Sequence, residues 1–226
     1  MVQSKKRWMV LILVLGCVLP GVAQTRRNVL EGTEWTYSVA AAKPDATLPN
    51  VLLLGDSITR AYAADVGKEL AGKANVYYLA TSASIADVRL PRQIDEYFTM
   101  MQPIHWSVVH FNNGMHGWSY TEEEYARFFP EMLAAVHAGA PGAKLVWATT
   151  TPIRTSQPSG ASNTRIEARN AIAAKAIAAQ HIPTDDQYRL MAAHQDLHSD
   201  DIHFNPEGSA LQAHQGAARI LAALNH

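Results

Sequence analysis

The chain has 226 residues, 48% of them hydrophobic, with 19 basic side chains against 20 acidic ones and a single cysteine. That balance excludes a nucleic-acid binder held by a basic surface, and one cysteine excludes an intrachain disulfide framework. Stability must come from a packed core, which a chain of this length can build as one domain.

Lys5, Lys6 and Arg7 precede an apolar stretch from Trp8 to about Val18, and Pro20-Gly21-Val22-Ala23 follows. This reads as an export signal over residues 1–23, cleaved after Ala23; the run is short and poorly flanked for a membrane span, with an uncleaved anchor as the alternative. Val14-Leu15-Gly16-Cys17 is similar to a bacterial lipobox, which would make Cys17 a lipid attachment point and the protein a lipoprotein. Cleavage would remove three basic and no acidic residues, leaving a weakly acidic protein that is secreted or periplasmic. Residues 24–48 show no sustained period and are expected to be a tail. The folded domain is expected over 49–226.

From there the pattern alternates. Short β-rich runs at 51–54, 75–80, 106–111 and 144–149, with a weaker fifth around Ile182, predict strands. Segments at 58–71, 85–101, 121–138, 164–179 and 206–224 have helical spacing. Thr121 with Glu122, Glu123 and Glu124 suits a helix start, as does Asn205-Pro206-Glu207. Strand and helix in alternation predict an α/β fold, a parallel sheet covered on both faces. Sites in such sheets form at the carboxyl ends of strands. Ser57 follows the first run, Asn112 and Asn113 the third, and the Pro/Gly/Ser-rich stretch 150–163 the fourth, where it is a candidate lid.

Gly55-Asp56-Ser57-Ile58, directly behind Val51-Leu52-Leu53-Leu54, places a hydroxyl at a strand end. A serine hydroxyl needs a base, and a neutral imidazole is suited to the task. His203 is the candidate base. Asp200, three residues earlier, would orient and stabilise it, with Asp201 as the alternative. Alone, each feature has a plainer reading, a helix cap or a solvated turn; together they supply the three groups of nucleophilic acyl transfer.

Gly55-Asp56-Ser57-Ile58 and Asp200-Asp201-Ile202-His203-Phe204 resemble the first and last blocks of the SGNH (GDSL-like) hydrolases. The resemblance spans nearly all of 49–226. It implies a flavodoxin-like three-layer α/β/α sandwich and ester hydrolysis through a Ser-His-Asp triad. It also implies oxyanion donors from the nucleophile's N–H, a glycine N–H of a second block and an asparagine side chain of a third. The middle blocks depart from that pattern. Ala80-Thr81-Ser82-Ala83-Ser84-Ile85 holds no glycine, leaving Ala83 as the best match, with Ser82 or Ser84 as alternatives. In His110-Phe111-Asn112-Asn113-Gly114-Met115-His116-Gly117, aligned glycines put His116 at the asparagine position, whereas strand alternation favours Asn112 over Asn113, with His116 beside it.

His194, His198, Asp200 and His203 match no strong metal-binding spacing, and neither metal nor cofactor is expected. Trp118 and Tyr120 are candidates for a sugar-stacking or apolar wall. The expected protein is an exported serine esterase acting on small-molecule or carbohydrate esters, O-acetyl groups among them. The alternatives are a lipase or thioesterase of the same fold, and a non-catalytic relative that binds a glycan or helps modify an envelope polymer.

Overall fold

The computed structural model describes residues 26–225, so the expected leader and Cys17 lie outside it. Six strands form one sheet: β1 (Thr36–Val39), β2 (Asn50–Gly55), β3 (Asn75–Thr81), β4 (Trp106–Phe111), β5 (Lys144–Ala148) and β6 (Thr184–Asp185). The helices are α1 (Ser57–Glu69), α2 (Arg89–Met100), α3 (Glu122–Gly139), α4 (Asn163–Ala179), α5 (Gln187–Ala192) and α6 (Pro206–Leu224). Thr121 and Glu124 make a reciprocal capping box at the start of α3, and Asn205 caps α6 through the Gly208 N–H. α2 begins later than its spacing suggested, because the preceding residues form a turn in which the Ile85 N–H donates to Asn113 Oδ1 at 3.0 Å. α5 and the 3-10 turn at Gln195–Leu197 are too short to show a period.

The strand order is β1-β3-β2-β4-β5-β6. β2 to β6 are parallel, as expected, and their order is flavodoxin-like. β1 is antiparallel to β3, which makes the sheet mixed. The order reverses at β2, so a crevice opens between the carboxyl ends of β2 and β4.

Each buried strand sends alternate side chains to opposite faces. Leu52, Leu54, Val109, Phe111, Leu145 and Trp147 pack with α2, α3 and part of α4; Val51, Leu53, Val108 and Val146 pack with α1 and α6. Trp147 sits between Phe111 and Phe129, with ring centroids 5.2 and 5.1 Å away. Both faces are covered by helices, which explains why these strands read as unbroken apolar runs.

The stretch expected to be a tail is folded onto the domain from Arg26 onward. Arg26 donates to the carbonyls of Ile85 and Phe128, and Arg27 grips Glu124 with two nitrogens at 2.8 and 2.7 Å. The Val29 N–H donates to Tyr120 Oη at 2.8 Å, and β1 then completes the sheet edge. These anchors are charged and polar groups without periodic spacing, which is why hydrophobic patterning missed them.

Candidate active site

Gly55, Asp56 and Ser57 each do something different. A Cβ on Gly55 would lie 2.1 Å from Thr59 Oγ1, so only glycine lets β2 pass this close to the first turn of α1. Asp56 is fully buried and is the N-cap: its Oδ1 accepts the Ile58 N–H at 3.0 Å, and its Oδ2 accepts the Met115 N–H at 3.2 Å from the loop after β4. With capping assigned to Asp56, Ser57 is free to present its hydroxyl from the first helical position, where backbone N–H groups have no intrahelical acceptor.

The hydroxyl meets the C-terminal loop. Ser57 Oγ lies 2.9 Å from His203 Nε2, and His203 Nδ1 lies 2.9 Å from Asp200 Oδ2. The Asp-x-x-His spacing works because the carboxylate has two tasks: Oδ1 accepts the N–H groups of Ile202 and His203 at 2.7 and 2.6 Å, closing the turn, while Oδ2 is left for the ring. Partial burial disfavours the Asp200 charge, but the His203 and Ile202 N–H groups and the His203 ring outweigh it and hold the carboxyl at about 2. An ionised Asp200 requires a proton on Nδ1, so Nε2 faces Ser57 as an acceptor. Behind the ring, the His203 carbonyl accepts from the Ser199 N–H, the Ser199 hydroxyl and His198 Nδ1. His198 itself stacks on Phe204 at 4.1 Å, a role the sequence did not suggest.

Of the residues expected to stabilise an oxyanion, two are committed elsewhere. The Ala83 N–H donates to Thr81 Oγ1 at 3.1 Å, and Asn112 Nδ2 donates to the Ala148 carbonyl at 2.7 Å and Thr150 Oγ1 at 3.2 Å. Asn113 is likewise spent, linking the Ala83 carbonyl and the Ile85 N–H. These groups tie the ends of β3, β4 and β5 together beneath the site.

His116 differs. It lines the same cleft of about 440 Å³ as Ser57 and His203, together with Glu31, Met115, Trp118, Ser159 and Ile202. Its Nδ1 lies 2.7 Å from Glu31 Oε2, and its Nε2 has no partner. Burial disfavours a charged ring, yet the Glu31 hydrogen bond and the charges of Asp56, Glu31 and Glu34 prevail and raise the imidazole above its ordinary range. The loop carrying it is held by Arg169, almost wholly buried, which donates to the carbonyls of Gly114, His116 and Gly117 at 2.9, 2.7 and 3.0 Å. Gly117 has φ +72°, and a Cβ there would lie 2.1 Å from Ser84 Oγ.

Tyr120 does not form an exposed wall: it is buried, and its hydroxyl joins Val29 and Arg27 of the segment before β1 to Asp87 ahead of α2. Trp118 does line the cleft, with the Arg169 guanidinium 4.1 Å from its ring centroid. The stretch expected as a lid is fastened, with Ile153 paired to Asn163 in both directions and the Arg154 N–H donated to the Asp201 carbonyl. Glu31 and Arg169 carried no signal in the sequence, since only their tertiary partners distinguish them, and His198 stood out there only as one of four grouped candidate metal ligands. Among the described residues, no three His, Cys, Asp or Glu side chains gather as a metal site, and no helix is long and apolar enough to cross a membrane.

Comparison with solved structures places the same fold in several proteins. A candidate SGNH hydrolase from Slackia heliotrinireducens is 25% identical with a TM-score of 0.60, covering 77% of this chain and 100% of its own. A lipase/acylhydrolase from Enterococcus faecalis is 18% identical with a TM-score of 0.62, covering 77% and 96%. A carbohydrate esterase family 3 protein from Talaromyces cellulolyticus is 18% identical with a TM-score of 0.61, covering 79% and 99%. No curated protein matches the chain. The model of the GDSL-like lipase/acylhydrolase family matches residues 53–211, from the strand before Ser57 into the helix beyond His203. The chain therefore belongs to the SGNH, or GDSL-like, lipase/acylhydrolase family.

Proposed function

We propose that the protein is an exported serine esterase that removes short acyl groups, O-acetyl groups on carbohydrates among them. The observation that carries the reading is the relay from Ser57 Oγ to His203 Nε2 and from Nδ1 to Asp200, each link 2.9 Å. His203 takes the serine proton as Oγ bonds to the ester carbonyl carbon, and the carbonyl π electrons move to oxygen. The tetrahedral intermediate collapses, the C–O bond to the alcohol breaks, and the proton passes from His203 to that leaving oxygen. His203 then deprotonates a water that attacks the acyl carbon; the bond from that carbon to Ser57 Oγ breaks, the proton passes from His203 to Oγ, and the acid leaves. The oxyanion is met by the Ser57 N–H and by His116 Nε2–H, in place of the Ala83 and Asn112 donors.

The substrate class is supported by the cleft. Its modest volume suits a short acyl chain, and its mixed lining, apolar at Leu30, Met115 and Ile202 and polar at Glu31, Ser119 and Ser159, suits a polar alcohol better than a long lipid. Proteins sharing the fold include an acetyl esterase and a carbohydrate esterase. Export rests on the basic and apolar start of the chain.

Ser57→Ala should lower hydrolysis of p-nitrophenyl acetate at least 1,000-fold, roughly the loss expected when an acyl-transfer nucleophile is removed, with an unchanged circular dichroism melt. A fluorophosphonate should add once, at Ser57, by mass spectrometry. Retained activity in the variant would overturn the mechanism, and absence of an adduct would favour a binding role.

A further inference from the structure

The segment before β1 contributes a side chain to the cleft from outside the stretch that matches the family. Glu31 Oε2 takes His116 Nδ1 at 2.7 Å while its Oε1 takes the Gly117 N–H at 2.7 Å. One carboxylate thus fixes both the ring and the backbone of the loop after β4. The carboxylate is set in its turn by the neighbouring chain. Glu34 Oε1 accepts the Glu31 N–H, Glu34 Oε2 accepts the Ser82 hydroxyl, and Arg89 pairs with Glu34 at 2.8 Å. Trp35 stands edge-on to the His116 ring at 5.7 Å.

The chemistry of the ring gives this geometry a purpose. A neutral imidazole with its proton on Nδ1 has a bare lone pair on Nε2 and can donate nothing there. Only the imidazolium donates at both nitrogens. His116 Nε2 is buried and unpartnered in a ring that borders the Ser57 cleft, so an ester carbonyl oxygen becoming an oxyanion would supply the missing acceptor.

We propose that Glu31 is a positioning residue of the esterase site, holding His116 as an imidazolium so that Nε2–H is ready for the developing oxyanion. This rests on the serine-esterase reading. The charges around the ring agree with it: Glu31 and Glu34 from the leading segment and Asp56 from the β2–α1 turn favour the cation, while Arg169 from α4 engages the carbonyl of His116 and Arg60 from α1 lies over Trp35. His203 lines the same cleft.

The test compares wild type, Glu31→Gln, Glu31→Asp and Ser57→Ala in p-nitrophenyl acetate hydrolysis across pH. Gln keeps the length and an acceptor for the Gly117 N–H but removes the charge. We expect kcat to fall about 10- to 100-fold with KM within twofold, since the contact strengthens only in the transition state. The alkaline limb of the kcat profile, set in the wild type by loss of the imidazolium, should move to higher pH, because the Gln amide donates to Nδ1 and leaves the neutral ring its proton on Nε2 as a weaker donor; the acid limb should stay. Asp should restore part of the rate. Unchanged kcat and an unmoved alkaline limb in Glu31→Gln, with Ser57→Ala inactive, would overturn the role of Glu31 alone; an active Ser57→Ala would overturn the esterase reading beneath it. A Glu31→Gln protein that loses rate with no shift of the alkaline limb and no recovery in Glu31→Asp would show a merely structural contact, and would also overturn the proposal.

Discussion

Asp200 shows how much one side chain can do from an exposed position. It closes the turn, orients the ring of His203 and stays ionised, although its side chain is more than half exposed. Asp200→Asn can still accept the turn N–H groups, but its amide would face Nδ1 with a donor and favour the wrong tautomer. We expect kcat to fall by about 10²- to 10⁴-fold in ester hydrolysis and the pH 7 melt to drop slightly by circular dichroism, since the stabilisation from this exposed carboxylate is screened by water. Asp200 is held at about 2, below the unfolded carboxyl range, so its contribution to folding is complete above that range and is lost as pH falls toward 2. That Ser57, Asp200 and His203 would meet was legible because each end of the grouping is carried by a short motif that survives in one dimension. Ala83 and Asn112 misled for the opposite reason. Whether an amide is free to meet a substrate depends on which acceptor the fold brings to it, and Thr81 and Ala148 reach these two first.

The loop after β4 owes its shape to α4. A buried guanidinium on three consecutive-turn carbonyls is a strong fixture, since each bond is assisted by charge and no water can replace it. Burial lowers the Arg169 pKa from its ordinary value, and the carbonyl dipoles and the π face of Trp118 at 4.1 Å offset the cost of burying the cation. Arg169→Met keeps most of the volume and leaves those carbonyls unmet. We expect a loss of about 3 kcal/mol in urea unfolding, with hydrolysis reduced because His116 is no longer held. The longer helices were readable because each buries a periodic apolar face, and the inner parallel strands because they are apolar on both sides. β1 and the residues before it were not, because all four residues of β1 are exposed and its neighbours dock through Arg26, Arg27, Glu31 and Glu34. Patterning detects what is buried by hydrophobicity and passes over what is held by charge.

Across the whole molecule, a polar knot joins the sheet to α6. The Asp185 carboxylate on β6 meets His110 Nε2 of β4 at 2.8 Å, and it accepts from Gln187 at 2.8 Å and from Gln215 of α6 at 2.6 Å; both Asp185 and His110 are fully buried. Burial disfavours the charge, but these partners prevail and lower the Asp185 pKa. Its stabilising contribution is therefore present above the unfolded carboxyl range and is lost as pH falls through and below it. Asp185→Asn should destabilise by about 3 kcal/mol at pH 7, with the gap from wild type narrowing in urea titrations at successively lower pH. The bonded pair at the heart of the site spans 146 positions in sequence, and the Glu31 contact spans 85. A growing chain that has reached α4 already carries Ser57 in its turn, but the loop bearing His203, the base in the proposed relay, follows only after α5. On the proposed esterase reading, the serine stays silent during synthesis until the His203 loop has been made and folded against it.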